Sequence, residues 1–185
     1  MIAFVSGGAR CGKSRFAEAL LCRWHVQRGG RRWYLATARA ADTEMAARIA
    51  RHRRERGPGW HTLEAPLALD VALARVGDGD SVLLDCLTLW ASQWRYGGGG
   101  SDDEGEALLA ECLAAARVRG IALVVVSNDL NEDLPPGDAE TRRYIAFLQR
   151  LHRRLAHEAD RVVEVVAGLP IEWKPIVEND AETTG

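Results

Sequence analysis

Gly7-Gly8-Ala9-Arg10-Cys11-Gly12-Lys13-Ser14 places glycines, a lysine and a hydroxyl in the spacing G-x-x-x-x-G-K-[ST], which suits binding of a polyphosphate. Gly7, Gly8 and Gly12 let the backbone curl, so that the N–H groups of the loop, those of Ala9, Arg10 and Cys11 among them, can point at one anion. Lys13 can reach the β and γ phosphates, and the Ser14 hydroxyl can ligate Mg²⁺. Further along, Asp85 ends an apolar run. A carboxylate there can hold the same ion opposite Ser14, or it can simply cap a helix beginning at Leu87. His52 stands among Arg48, Arg51 and Arg53. A neutral imidazole beside guanidinium groups can attack the α-phosphate of a triphosphate. The arginines would stabilise the developing charge and disfavour imidazolium. Spacing alone also allows an ordinary solvated histidine.

These groups need elements to carry them. Ile2-Ala3-Phe4-Val5 reads as a strand delivering the chain into the loop, and the run from Ser14 to Leu21 reads as the helix leaving it, whose positive N-terminal end favours an anion. Arg32 to Thr37 reads as a second strand. Asp42 to Arg56 reads as a helix capped by Asp42 or Thr43, with Ala46, Ile49 and Ala50 on one face and Gly57-Pro58-Gly59 as its stop. Trp60 to Glu64 and Ser81 to Asp85 are strands, Leu67 to Val76 is helical, and Ile121 to Val126 is the most apolar strand. A helix from Glu140 to Glu158 precedes a last strand, Arg161 to Val166. Such alternation predicts an α/β fold of the RecA-like phosphate-loop NTPase type, with a mostly parallel central sheet and helices on both faces. Tyr96 to Gly105, with four consecutive glycines, reads as a flexible surface loop. Residues 1–175 form one expected domain, followed by a polar tail, 176–185.

The whole chain narrows the function. Its 185 residues suffice for one sizeable core, and 47% hydrophobic with 27% charged content is ordinary for a globular protein. A net charge of -2 gives no electrostatic case for nucleic acid. Cys11, Cys22, Cys86 and Cys112 show no metal-ligand spacing and read as reduced thiols. The start offers no signal-peptide pattern and no run reaches the length of a membrane span, so the cytoplasm is the expected location.

The segments Val5 to Glu18, Tyr34 to Ala38 and Asp42 to Ile49, the last running on to His52-Arg53, resemble the bifunctional adenosylcobinamide kinase / adenosylcobinamide-phosphate guanylyltransferase family. Trp60 to Glu64, Asp85 to Trp90, Val125 to Asn128 and Val166 to Pro170 continue the likeness in order. The resemblance implies a guanylyl group carried from GTP on His52 as a phosphoramidate, then passed to adenosylcobinamide phosphate. It also implies phosphorylation of adenosylcobinamide by a nucleoside triphosphate, ATP or GTP, with Mg²⁺. It places Thr37, Arg53, Glu64 and Asp85 with the loop residues in the nucleotide site, and suggests a homo-oligomer, a homotrimer. His61 is the nearby rival to His52, at a position where the family pattern needs no histidine. The chain departs from the pattern at Asn128 to Pro136, where glycines usual in the family are replaced. Trp90 and Trp94 suit either an interface or the core.

The residues alone leave two other classes open: a small-molecule phosphotransferase without a covalent step, and a nucleotide-dependent switch or assembly ATPase.

Overall fold

The computed structural model describes residues 1–38, 54, 56–130 and 138–175. His52, Arg53 and most of the helix expected over 42–56 lie outside the described residues, as do most of the altered loop and the tail.

Strands β1 (Ile2–Ser6), β2 (Arg32–Ala36), β3 (Trp60–Glu64), β4 (Ser81–Asp85), β5 (Ala122–Val126), β6 (Arg161–Val166) and β7 (Leu169–Lys174) form one seven-stranded sheet in the order β3-β2-β4-β5-β1-β6-β7. All neighbours pair parallel except β6 and β7. One strand, β5, therefore separates the strand that feeds the loop from the strand that ends in Asp85. The α/β class and the mostly parallel sheet follow the expectation.

The central strands are apolar at nearly every position because both faces are covered. On one face Ala3, Val5, Leu83 and Val124 meet Ala17, Leu20, Leu21 and Trp24 of helix α1 (Lys13–Arg28). On the other, Ile2, Phe4, Leu84 and Val125 pack among helices α2 (Leu69–Ala74), α3 (Leu87–Tyr96), α4 (Asp102–Val118) and α5 (Ala139–Glu158). Trp90 and Trp94 belong to this core, 0% and 9% exposed. Their indole N–H groups donate to the carbonyls of Leu67 and Ser101, both at 2.8 Å.

Two expectations need correction. The glycine run ends at Gly100, and the acids after it are the first turn of α4. Ser101 accepts from the Glu104 N–H, and the Glu104 carboxylate accepts from the Ser101 N–H, a capping box that Ser-x-x-Glu signals in sequence. Nor is β6 the last strand. Ala167 and Gly168 both adopt positive φ, 49° and 84°, which turns the chain back in a two-residue hairpin and adds β7 antiparallel. Pro170 is tolerated because β7 is an edge.

Candidate functional site

β1 runs into the loop at the carboxyl ends of the parallel strands, where open α/β sheets bind ligands. Gly7 is required there. Its φ is 146°, and a Cβ would lie 2.4 Å from the Val165 carbonyl oxygen. Gly12, at φ 95°, turns the chain into α1. The β6–β7 turn braces the loop from behind, with the Gly168 N–H donating to the Cys11 carbonyl at 2.9 Å. The Asp129 N–H donates to the Gly7 carbonyl at 3.0 Å.

α1 begins with no side-chain cap and no acid in its first turn. α4 and α5 are capped by Ser101 and Asp138. An uncapped helix start presents N–H donors and partial positive charge, which suit an anion. Lys13, only 7% exposed, curls over the loop and donates to the Gly8 carbonyl at 2.8 Å. Ala9, Arg10, Gly12, Lys13 and Ser14 line a cavity of about 620 Å³. Gly7, Gly8 and Cys11 shape the loop without lining it.

Asp85 lines the same cavity. It does not cap α3, whose N-cap is Cys86 and which has no side-chain cap bond. Instead the Tyr34 phenol donates to Asp85 Oδ2 at 3.2 Å. Burial, and next the Asp85 charge, raise the Tyr34 pKa, so the phenol keeps its proton and remains a donor. The Arg56 guanidinium carbon lies 3.3 Å from the centre of the Tyr34 ring.

Thr37 stands beside the turn that follows Asp85. It is fully buried, with its hydroxyl donating to the Cys86 carbonyl at 2.8 Å and accepting from the Cys86 N–H at 2.9 Å. The Gln93 amide donates to its carbonyl at 2.5 Å. Thr37 therefore ties the end of β2 to the turn after Asp85, while Ala36 and Ala38 line the cavity. Glu64 is exposed at the end of β3, in register with Ala36, and does not line the cavity. His61 lies with its ring 4.9 Å from that of Trp33. The Trp33 indole donates to Asp80, which precedes β4 at the end of the sheet opposite the loop.

Residues 3–173 match the family described as cobinamide kinase / cobinamide phosphate guanyltransferase. The chain belongs to this family.

Three relatives carry the resemblance over nearly their full lengths. The bifunctional adenosylcobalamin biosynthesis protein CobP of Pseudomonas aeruginosa is 41% identical over 92% of this chain and 95% of its own. The CobU proteins of Salmonella typhimurium and Escherichia coli are each 32% identical, over 94% of this chain and 100% of theirs. Among solved structures, a KaiC-like protein of Pyrococcus horikoshii is similar over 88% of this chain and 69% of its own, at 12% identity and a TM-score of 0.49.

Sequence reading missed a further polar chain in this member of the family. The Asn128 N–H donates to Thr88 Oγ1 at 2.7 Å. The Thr88 hydroxyl is 2.9 Å from that of Ser127, which lies 2.8 Å from His152 Nε2. Burial pushes the His152 pKa down to about 4, against the opposing charge of Asp129. The ring is therefore neutral near pH 7, and its tautomer decides which of Ser127 and His152 donates. Asn128 lines the cavity, so the chain fixes part of its floor from α5. The polar pair Ser127-Asn128 after an apolar strand was the available signal. Nothing local in the sequence connected it to His152.

Proposed function

We propose that the chain phosphorylates adenosylcobinamide and transfers GMP from GTP to adenosylcobinamide phosphate, giving adenosylcobinamide-GDP. The observation that carries the reading is family membership over residues 3–173. The two activities in the family's description, a kinase and a guanyltransferase, are those the reading assigns here. Residues 1–175 act as one domain in the cytoplasm; among the described residues no helix is long and apolar enough to cross a membrane.

In the kinase step the γ-phosphoryl group of ATP or GTP passes directly to the substrate hydroxyl. The loop N–H groups and Lys13 hold the triphosphate, with Lys13 exchanging the Gly8 carbonyl for phosphate oxygen. In the second reaction a neutral ring nitrogen of His52 attacks the α-phosphorus of GTP. An N–P bond forms, the bond from the α-phosphorus to the bridging oxygen breaks, and pyrophosphate leaves. A phosphate oxygen of adenosylcobinamide phosphate then displaces the histidine, which returns to its neutral state. His61 is a poor rival, because its ring packs on Trp33 and it does not line the cavity.

The donor set suits Mg²⁺. Ser14 and Asp85 offer hard oxygens in one cavity, and no cluster of three or more His, Cys, Asp or Glu side chains among the described residues competes for a metal. Mg²⁺ takes few protein ligands beside phosphate and water. Ser14 and Asp85 would hold it, and its charge would offset that of the phosphates. A cavity of about 620 Å³ is of a size to enclose a nucleotide, so the bulkier corrinoid extends past the rim. If copies associate, the exposed Leu169, Ile171 and Trp173 of β7 suit an interface, whereas Trp90 and Trp94 are committed to the core.

The test is product analysis. Wild type with adenosylcobinamide, ATP and GTP is expected to form first the phosphate, then the GDP derivative with release of pyrophosphate. His52→Ala is expected to stop at the phosphate. Wild type that stops there too would leave a plain phosphotransferase.

A further inference from the structure

The polar chain from His152 to Asn128 runs beneath the loop cavity, and the reactions as written above make no use of it. His152, on α5, packs its ring against Phe4 of β1, with centroids 5.1 Å apart. Its Nε2 lies 2.8 Å from the Ser127 hydroxyl. Ser127 and Thr88 are 0% and 6% exposed, and their hydroxyls pair at 2.9 Å. Thr88 Oγ1 in turn accepts from the Asn128 N–H at 2.7 Å. α5 grips the same turn a second time, since the Tyr144 phenol donates to the Thr88 carbonyl at 2.9 Å. From the other side, the Ser127 N–H donates to the Val5 carbonyl and the Asp129 N–H to the Gly7 carbonyl, both at 3.0 Å. Helices α3 and α5 and the end of β1 thus converge on Asn128, and Asn128 lines the cavity. Buried hydroxyls are retained where each finds a partner, and a paired network of this kind holds a short side chain in one place.

The cavity has two unlike walls. Arg10, Lys13 and Arg15 line it from the loop and α1. Arg56 stacks on Tyr34, which packs on the face of the sheet that α1 covers. Those cations make the α1 side the place for phosphates. On the α3 side the lining is Cys86, Leu89 and Asn128, with no charge among them. Leu89 is 37% exposed and offers apolar surface beside the carboxamide. The acceptor in the kinase step is a neutral hydroxyl on a large, largely uncharged molecule, so the neutral wall suits it. A carboxamide can accept from that hydroxyl and donate to a neighbouring oxygen at once.

We infer that Asn128 is a catalytic residue that orients the acceptor hydroxyl of adenosylcobinamide, and that His152 is the positioning residue that holds Asn128 in place through Ser127 and Thr88. The inference rests on the kinase reading above. The Asn128 carbonyl oxygen accepts from the hydroxyl and aims its oxygen at the γ-phosphorus. The new O–P bond forms, the bond from the γ-phosphorus to the bridging oxygen breaks, and the nucleoside diphosphate leaves. The hydroxyl proton passes to a γ-phosphoryl oxygen, because an amide is too weak a base to keep it. Asn128 therefore contributes alignment. His152 touches neither substrate and acts only by fixing where the amide stands.

The experiment compares wild type with Asn128→Ala, Ser127→Ala, His152→Leu, His152→Gln and the double variant Asn128→Ala/His152→Leu. Phosphorylation is followed with adenosylcobinamide varied, ATP affinity is titrated without acceptor, and urea unfolding checks each fold. Asn128→Ala is expected to lower kcat/KM for adenosylcobinamide by roughly 10²-fold, with the Kd for ATP kept within about threefold. His152→Leu and Ser127→Ala are expected to lose about tenfold in the same ratio. Should His152→Leu fail to fold, Ser127→Ala breaks the same link with a smaller change, and Asn128→Ala/Ser127→Ala serves as the double variant. His152→Gln, whose amide can reach the Ser127 hydroxyl, is expected to keep most of the rate. The double variant is expected to be no slower than Asn128→Ala alone, because a residue that acts through another adds nothing once that other is gone. Losses that multiply in the double variant overturn the positioning role of His152. A wild-type rate in Asn128→Ala overturns the inference and leaves the kinase reading standing. ATP affinity that falls as far as kcat/KM overturns it too, and moves Asn128 to the phosphates. A wild type that does not phosphorylate adenosylcobinamide overturns the kinase reading and this inference together.

Discussion

Asp80 leads into strand β4 and Asp85 ends it, and the two carboxylates are held in contrasting ways. Asp80 is 6% exposed and accepts from three rigid donors. These are the Arg31 N–H at 2.8 Å, the Trp33 indole at 2.8 Å and the Gly77 N–H at 3.0 Å. Burial would push its pKa up, but these donors outweigh it and hold the carboxyl below its ordinary value. Asp85 faces a cavity and meets the phenol of Tyr34 at the longer distance of 3.2 Å. One end of the strand closes the fold with fixed backbone and ring donors. The other presents a carboxylate with a side-chain partner in a space large enough for a ligand. In sequence both are acids bordering the same apolar run. What separates them is the company folding brings: the β2 start and the turn before β4 for Asp80, the phosphate loop and Arg56 for Asp85.

Removing the strongest charge from the loop end is expected to have the largest effect. Lys13→Ala is expected to lower kcat/KM of both activities by roughly 10²–10³-fold with little change in melting temperature. Near-normal turnover would break the assignment of one loop to both reactions.

The paired substitution of the two aspartates sharpens the contrast. Asp85→Asn is expected to cut turnover and raise the Mg²⁺ concentration needed for half-maximal rate, with unfolding almost unchanged. Asp80→Ala is expected to destabilise by about 3 kcal/mol, since it strands buried donors, while activity per folded molecule holds. Urea unfolding and Mg²⁺ titration of both variants check this. Equal effects of both kinds would erase the distinction between the ends.

A smaller effect separates the ends by pH. The His152 pKa falls from 6.5 to about 4 in the fold. The unfolded chain binds the extra proton first, so stability rises with pH across that window and is flat above it. Wild type is expected to lose about 2 kcal/mol between about pH 7.5 and about pH 5 through this group. His152→Gln should flatten that slope in urea unfolding at several pH values. Asp80, depressed from 3.8, adds acid lability only below this window. An unchanged slope in His152→Gln would remove His152 from the account.

The loop end was legible in the sequence because its motif is local. Contiguous glycines, a lysine and a serine between a strand and a helix set the backbone with little help from elsewhere. Asp85 was legible by its place at the end of an apolar run. Tyr34 and Asp85 were not legible as partners, since they are distant in sequence and meet only when β2 lies beside β4; nor was the stacking of Arg56 on Tyr34, which no periodicity encodes. Thr37 was read into the nucleotide site from the family resemblance, and the bonding of its hydroxyl to Cys86 had no local signal in the sequence. The chain from Asn128 to His152 joins β5, α3 and α5, and no periodicity encodes such a tertiary link. The start of α4 was legible and overlooked, because four glycines drew attention away from the Ser101–Glu104 box.

The central claim is that the loop end of the sheet supports a covalent guanylyl transfer on His52. Intact-protein mass measurement after incubation with GTP labelled in the α-phosphate tests it most directly, with γ-labelled GTP and His52→Ala run in parallel. The account predicts one guanylyl group on wild type, retaining the α-label but not the γ-label. The adduct should be acid-labile and base-stable, as a phosphoramidate is, and absent from His52→Ala. A wild type that stays unlabelled while still phosphorylating adenosylcobinamide, or a normal adduct on His52→Ala, would contradict it.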